Sequence, residues 1–130
     1  MLLDTSGLLS LIDPGQPRHQ LAVDQYRKSS SWLTHGYVLS ELTALGNARK
    51  VSPKKVVSYI EDLLVNPDVK VVWPDQFLTS QALVLMSSRL GAGYSLCDAV
   101  SFVLMRERRL TAALTTDVHF EQEGFQRILS

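Results

Sequence analysis

The stretch Gly93-Tyr94-Ser95-Leu96-Cys97-Asp98-Ala99-Val100-Ser101-Phe102-Val103-Leu104-Met105 constrains the fold of this chain more than any other. Leu96, Ala99, Val100, Val103 and Leu104 recur at i, i+3, i+4, i+7 and i+8, the apolar stripe of a core-facing helix. Cys97, Phe102 and Met105 make the other side apolar too, which predicts a helix covered on most of its circumference. Asp98 sits in its first turn. A buried acid has to be paired, hydrogen-bonded or metal-bound, because an isolated charge is costly to desolvate. Ser95 and Asp98 also have the spacing of a capping box, which would make the acid purely structural. Three more acids elsewhere in the chain weigh against that reading.

The chain has 130 residues, which predicts a single domain over 1–130 with a real core. Thirteen basic and thirteen acidic residues cancel, so polyanion binding requires a local patch. One cysteine excludes an internal disulfide and fits a reducing cytoplasm. No apolar run approaches the roughly 18 residues that span a bilayer, and no secretory signal pattern opens the chain. A cytoplasmic protein without membrane contact is the expectation.

Met1-Leu2-Leu3 reads as a buried strand ending at Asp4, followed by a helix to about Leu11 with Thr5 or Ser6 near its cap. A strand so close to the amino terminus would fray unless it lies in mid-sheet. Asp4 would then mark the carboxyl end of a central parallel strand, where open α/β sheets place their ligands. Pro17 opens a helix to about Lys28, and Trp32 to Thr34 forms a second strand. A helix from about Tyr37 to Lys50 follows, with Glu41 on the stripe of Val38, Leu42 and Leu45. Ser52-Pro53 starts another helix. Val69 to Trp73 is a third strand, then a helix runs from Pro74-Asp75 to Leu90 with Gly91 suited to its C′ position. After the Asp98 helix, Leu110 to Leu114 is a fourth strand with Asp117 beyond its carboxyl end, and Phe125 to Leu129 is a fifth. This alternation predicts an α/β fold with a mostly parallel sheet and helices on both faces.

Asp4 and Asp117 thus stand at strand ends, and Glu41 and Asp98 on inward helix faces. Two unit charges 4 Å apart repel by about 4 kcal/mol at an effective dielectric of about 20. Four converging carboxylates therefore call for a cation. All-oxygen ligation suits Mg²⁺ or Mn²⁺ rather than Zn²⁺. A metal held by carboxylates with open positions serves phosphodiester hydrolysis without a protein nucleophile.

Leu3-Asp4-Thr5-Ser6, Leu39-Ser40-Glu41-Leu42, Leu96-Cys97-Asp98-Ala99 and Leu114-Thr115-Thr116-Asp117-Val118-His119-Phe120 together resemble the PIN-domain ribonucleases, most closely the VapC-type toxins of prokaryotic toxin–antitoxin modules. The resemblance spans essentially the whole chain. It implies a three-layer α/β/α sandwich with about five short strands. It also implies a metal-binding catalytic quartet of Asp4, Glu41, Asp98 and Asp117, with Ser6 and Thr115 supporting the site. A homodimer, an RNA substrate and a cognate antitoxin that blocks the site are further implications. Alternatives are a nuclease of the same fold in RNA processing, or a non-catalytic RNA- or protein-binding module. A haloacid-dehalogenase-like phosphoryl-transfer enzyme needs an Asp two residues after Asp4, where Ser6 stands.

Arg49, Lys50, Lys54 and Lys55 form the densest basic patch, a candidate RNA-backbone surface or a solvated face. His119, two residues after Asp117, is placed to touch substrate or support the site but reads first as a loop histidine that caps a turn. His19 and His35 read as structural or surface residues. Trp32 and Trp73 are expected to pack rather than stack on bases.

Overall fold

A computed structural model describes residues 1–130. Five strands, β1 (Leu2–Leu3), β2 (Trp32–His35), β3 (Val69–Val72), β4 (Ala112–Leu114) and β5 (Gln126–Arg127), form one sheet in the order β3-β2-β1-β4-β5. Every pairing is parallel. The helices are α1 (Thr5–Ile12), α2 (His19–Lys28), α3 (Gly36–Ala48), α4 (Pro53–Val65), α5 (Gln76–Ser87), α6 (Leu96–Glu107) and α7 (His119–Gln122). None is long and apolar enough to cross a membrane.

The two residues of β1 show how the layers arise. Neighbouring strand residues point to opposite faces of a sheet. Leu3 accordingly joins a core with Leu8, Leu9, Val38 and Leu42 from α1 and α3. Leu2 joins a second core with Ala99, Val100, Phe102 and Met105 from α6 and Phe120 from α7. Both leucines are fully buried. β1 is held on one side by β2 and on the other by β4, the mid-sheet position that prevents fraying. The three-layer sandwich follows, with α1 to α4 on one face and α5 to α7 on the other.

Several boundaries differ from the sequence expectation. Asp4, not Thr5 or Ser6, occupies the N-cap position of α1, and its side chain does not cap the helix. α3 stops at Ala48 because Lys50 takes a left-handed conformation at φ 60°. Its turn is closed by Val51 N–H donating to the Gly46 carbonyl at 2.9 Å. Arg109, at φ 56°, ends the turn after α6 in the same way, with Leu110 N–H on the Met105 carbonyl. α5 ends at Ser87, a 3₁₀ turn covers Leu90–Ala92, and the left-handed glycine is Gly93 (φ 76°) rather than Gly91. α7 falls where no helix is expected. Trp32 stacks on Tyr26 at 4.6 Å, whereas Trp73 is 62 % exposed and only covers Gly36 with its ring edge.

Gly7 fixes how closely α1 approaches the site end of β4. A Cβ at this position would fall inside the Leu114 carbonyl, 2.8 Å from its carbon, and backbone cannot yield as a side chain can. Gly46 is the contrast, since a Cβ there meets only Val56 Cγ2 at 2.9 Å. Gly7→Ala is expected to cost about 1–3 kcal/mol through overpacking. Gly46→Ala should lie near zero, because a gain of roughly 1 kcal/mol in helix propensity offsets a small side-chain shift. Urea unfolding of both variants tests this; equal effects would show that the α1–β4 approach is not tight.

Candidate active site

The strand order decides where the site lies. From β1 the chain builds outward through β2 and β3, then returns to lay β4 and β5 on the other side of β1. The order therefore reverses between β1 and β4, and open α/β sheets bind ligands outside the carboxyl ends of strands at such a point. Asp4 follows β1 directly, and Thr115, Thr116 and Asp117 follow β4.

A hydrogen-bonded relay ties these two strand ends together. Thr115 Oγ1 donates to Asp4 Oδ2 at 2.6 Å, a length typical of a charge-assisted bond. With its proton committed there, Thr115 Oγ1 accepts from Ser6 Oγ at 3.2 Å and from the Asp117 amide at 3.0 Å. Ser6 Oγ in turn accepts from the Thr116 amide at 3.0 Å. Thr115 thus lies directly against Asp4, and Ser6 is joined to it through Thr115.

Asp98 is in the first turn of α6, and its two sequence readings describe one carboxylate. Ser95 Oγ accepts from the Asp98 amide at 3.0 Å and Asp98 Oδ2 accepts from the Ser95 amide at 3.1 Å, a complete capping box. The same Oδ2 faces the site, 3.2 Å from His119 Nδ1. Asp117 Oδ1 accepts from the His119 amide at 2.9 Å and lies 3.4 Å from His119 Nδ1. Asp98, Asp117 and His119 each offer one ligand atom, all within 4.8 Å of one another. His119 therefore opens α7 with its ring at the acids rather than merely capping a turn. The only cue in the sequence is its place two residues after Asp117.

Glu41 departs from expectation. α3 buries Val38, Leu39, Leu42 and Gly46. At about 100° per residue, Glu41 lies some 60° from Val38 and about 100° from Leu42, on the flank of that stripe. Its side chain is exposed at the rim instead of inward. It still bears on the site: burial is the main cause that raises the pKa of Asp4 and of Cys97, and the Glu41 charge adds to both.

The electrostatics are those of an uncompensated acidic cluster. Burial pushes Asp4 up to about 7, with the charges of Asp98 and Glu41 adding to it, against the lowering effect of Thr115 and the Thr5 amide. Burial also raises Asp98, as does the Asp117 charge, against the Ser95 amide and His119. No lysine or arginine forms an ion pair with any of the four acids; His119 is their sole basic partner. Deeper in, His35 is fully buried with Nε2 2.9 Å from Ser101 Oγ, and burial lowers it to about 4, so it is neutral and structural. His19 is tied to the Ser10 carbonyl at 2.7 Å and lies outside the cluster.

The ring of His119 is held from behind. Tyr94 meets it edge-on at 5.2 Å, and Tyr94 Oη donates to Glu123 Oε2 at 3.0 Å. The Glu123 side chain, only 4 % exposed, also accepts from Arg89 at 3.2 Å and Arg106 at 3.1 Å. Burial alone would raise its pKa, but the bonds from Tyr94, Arg106 and Arg89 prevail and hold it below the usual glutamate value.

The basic patch divides. Lys54 and Lys55 line a hollow with Ser58, Tyr59 and Asp62, whereas Arg49 lines a different cleft next to Ser6 and Thr116. A wider apolar hollow of about 680 Å3 between α5 and α6, lined by Phe77, Val84, Leu85 and Val103, contains none of the acids.

The family model described as PIN domain matches residues 1–125. Among solved structures, the crystal structure of Mycobacterium tuberculosis VapC20, a sarcin–ricin loop cleaving toxin, superposes with a TM-score of 0.86 at 27% sequence identity, covering 95% of each chain. No curated protein matches the sequence.

The raised pKa of Asp4 has a definite sign in stability. Its folded value of about 7 lies above the ordinary aspartate value of 3.8, so the folded state binds more protons between those limits. The Asp4 contribution is present below about 4 and lost as pH rises to about 7. His35, lowered to about 4, acts in the opposite sense below about 6.5, so the comparison must be made with a variant. In EDTA, Asp4→Asn should be more stable than wild type by about 1–3 kcal/mol at pH 8, the advantage shrinking toward pH 4.5. Urea unfolding at three pH values measures it. A pH-independent difference would mean that Asp4 is not held as a desolvated acid.

Proposed function

The chain belongs to the PIN-domain family, and from that premise we propose that it is the endoribonuclease toxin of a toxin–antitoxin pair, with Asp4, Glu41, Asp98 and Asp117 as its catalytic, metal-binding acids. It is a metal-dependent ribonuclease. The observation that carries the residue assignment is the cluster itself: Asp4, Asp98 and Asp117, buried or half-buried at a topological switch point with exposed Glu41 at the rim, and no lysine or arginine paired with them.

The donor set fits a hard divalent ion. Asp98 and Asp117 offer oxygens close together, and Asp4 is steered toward the same crevice by Thr115. Glu41 completes the set from the rim, as an exposed side chain with the freedom to swing inward. Mg²⁺ or Mn²⁺ is the ion we assign on this chemistry. When bound, such an ion supplies positive charge for the phosphoryl oxygens and for an attacking water. The protein's own part is to hold its acids ready. The capping box fixes Asp98, the turn at His119 fixes Asp117, and the Thr115 relay fixes Asp4. His119, a softer nitrogen donor, serves to bridge Asp98 and Asp117 and stands where it could touch the RNA.

The substrate is RNA, and the likeness to VapC20 makes a sarcin–ricin stem–loop the first RNA to try. We assign the basic residues Arg49, Lys50, Lys54 and Lys55 to RNA-backbone contacts, Arg49 beside the site and Lys54 and Lys55 on a separate hollow further along the surface. A protein antitoxin, a homodimer and a cytoplasmic setting complete the reading. Exposed Phe77, Val84 and Leu90 supply apolar surface of the kind protein contacts cover.

Purified protein free of antitoxin should cut the stem–loop with Mg²⁺ or Mn²⁺ and stop in EDTA. Asp98→Asn keeps the capping box, since an amide oxygen accepts from the Ser95 amide as the carboxylate does, so its fold should stand while cleavage falls by at least about a hundredfold. Cleavage that survives EDTA, or an Asp98→Asn variant that still cuts at the wild-type rate, would sink the assignment.

A further inference from the structure

A cleft of about 220 Å3 adjoins the acids on the α1 side, bounded by Ser6, Gln16, Arg18, Leu45, Arg49 and Thr116. Its inner wall is part of the site. Ser6 and Thr116 are bonded to each other, and Ser6 bonds Thr115, which donates to Asp4. Its outer wall carries two guanidiniums from different elements, Arg18 just before α2 and Arg49 just after α3. Neither forms an ion pair or a side-chain hydrogen bond within the protein, whereas Arg89, Arg106 and Arg127 are all engaged with glutamates.

Helix electrostatics do not account for Arg18. It stands at the amino end of α2, where the macrodipole is positive and a cation is disfavoured by some 0.3–1 kcal/mol. The helix end and both arginines therefore add positive potential in one place. The acids next door would repel a polyanion, and the protein as a whole offers no net attraction, with thirteen charges of each sign. A strand entering the metal site needs local cations flanking it. The cleft is smaller than the roughly 300–1,000 Å3 of small-molecule pockets, a size suited to a phosphate group rather than a drug-sized ligand.

We infer that this cleft is a backbone-phosphate subsite for RNA, in which Arg18 and Arg49 clamp a phosphate neighbouring the one at the acids and the Ser6 and Thr116 side accepts the sugar edge. This rests on the nuclease reading and extends it to a residue, Arg18, that no motif marks. Guanidinium forks match phosphate oxygens in pairs, so each arginine acts as a positioning residue for the substrate strand.

Binding of a fluorescein-labelled sarcin–ricin stem–loop is measured in EDTA across salt concentrations, for wild type, Arg18→Gln, Arg49→Gln and the double variant. Lys28→Gln, at the opposite end of the sheet beside Met1 and Arg109, is the control. Each lost contact should lower the salt slope by about 0.7–0.9 and weaken binding roughly fourfold at 0.15 M salt, with Lys28→Gln unchanged. With Mn²⁺ added, KM should rise in the arginine variants and kcat change little. If wild type cuts the RNA but the arginine variants keep its slope and KM, the subsite is overturned, and the two arginines are a solvated face or a contact for an acidic protein. If wild type binds RNA through these arginines yet cuts nothing with either metal, the nuclease reading fails and the subsite stands. If wild type neither binds nor cuts, both fail.

Discussion

The hydrogen bond from Thr115 Oγ1 to Asp4 Oδ2, 2.6 Å long, joins the ends of the two central strands, and the site depends on it. It satisfies one oxygen of a carboxylate that is 5 % exposed and would otherwise sit uncompensated in the core. β1 has only two residues, so nothing in its length could hold that acid in place. Its position comes from neighbours on both sides, from Leu2 and Leu3 anchored in opposite cores, and from the relay through Ser6 and Thr116. The close approach allowed by Gly7 brings the first turn of α1 against the carbonyl of Leu114, and so brings Ser6 to Thr115.

Asp98 shows how one carboxylate meets a structural and a chemical demand together. Its helix-end role accepts a backbone amide through Oδ2, and the same oxygen looks across the crevice at His119. Such a residue is pre-oriented before any ligand arrives, because its rotamer is fixed by the cap. The opposite wall is stiffened differently. Glu123 collects Tyr94, Arg89 and Arg106 from the surrounding elements, and Tyr94 supports the imidazole. An acid that burial would neutralise is kept charged by three donors, and that charge knits α6, α7 and the loop before α6 into one surface.

The alternation of strands and helices was legible because each buried strand is a short apolar run and each helix carries a 3.6-residue stripe. Asp4, Asp98 and Asp117 were legible for the same reason, since strand ends and a first helical turn can be located from such patterns. Other features escaped because they rest on details a pattern does not carry. The ends of the turns after α3 and α6 are set by Lys50 and Arg109 in left-handed backbone, where a glycine would have been the signal. Glu41 lies at the edge of a stripe, and a rotation of one position separates an inward acid from an exposed one. α7 spans four residues, too few for periodicity to register. His119 and Arg18 gain their meaning only from what folding sets beside them.

Asp4 and Thr115 are 111 positions apart, and that separation bears on when the protein becomes dangerous to RNA. Parallel pairing of distant segments is slow, because loop closure must precede the contacts that reward it. On a ribosome, the first strand and its acid wait until β4 and the Thr115–Asp117 segment have been synthesised. A growing chain therefore carries its acids dispersed, with no crevice to hold them. The centre closes only once the Thr115–Asp117 segment exists to meet Asp4, so the topology itself delays activity until both strand ends have been made.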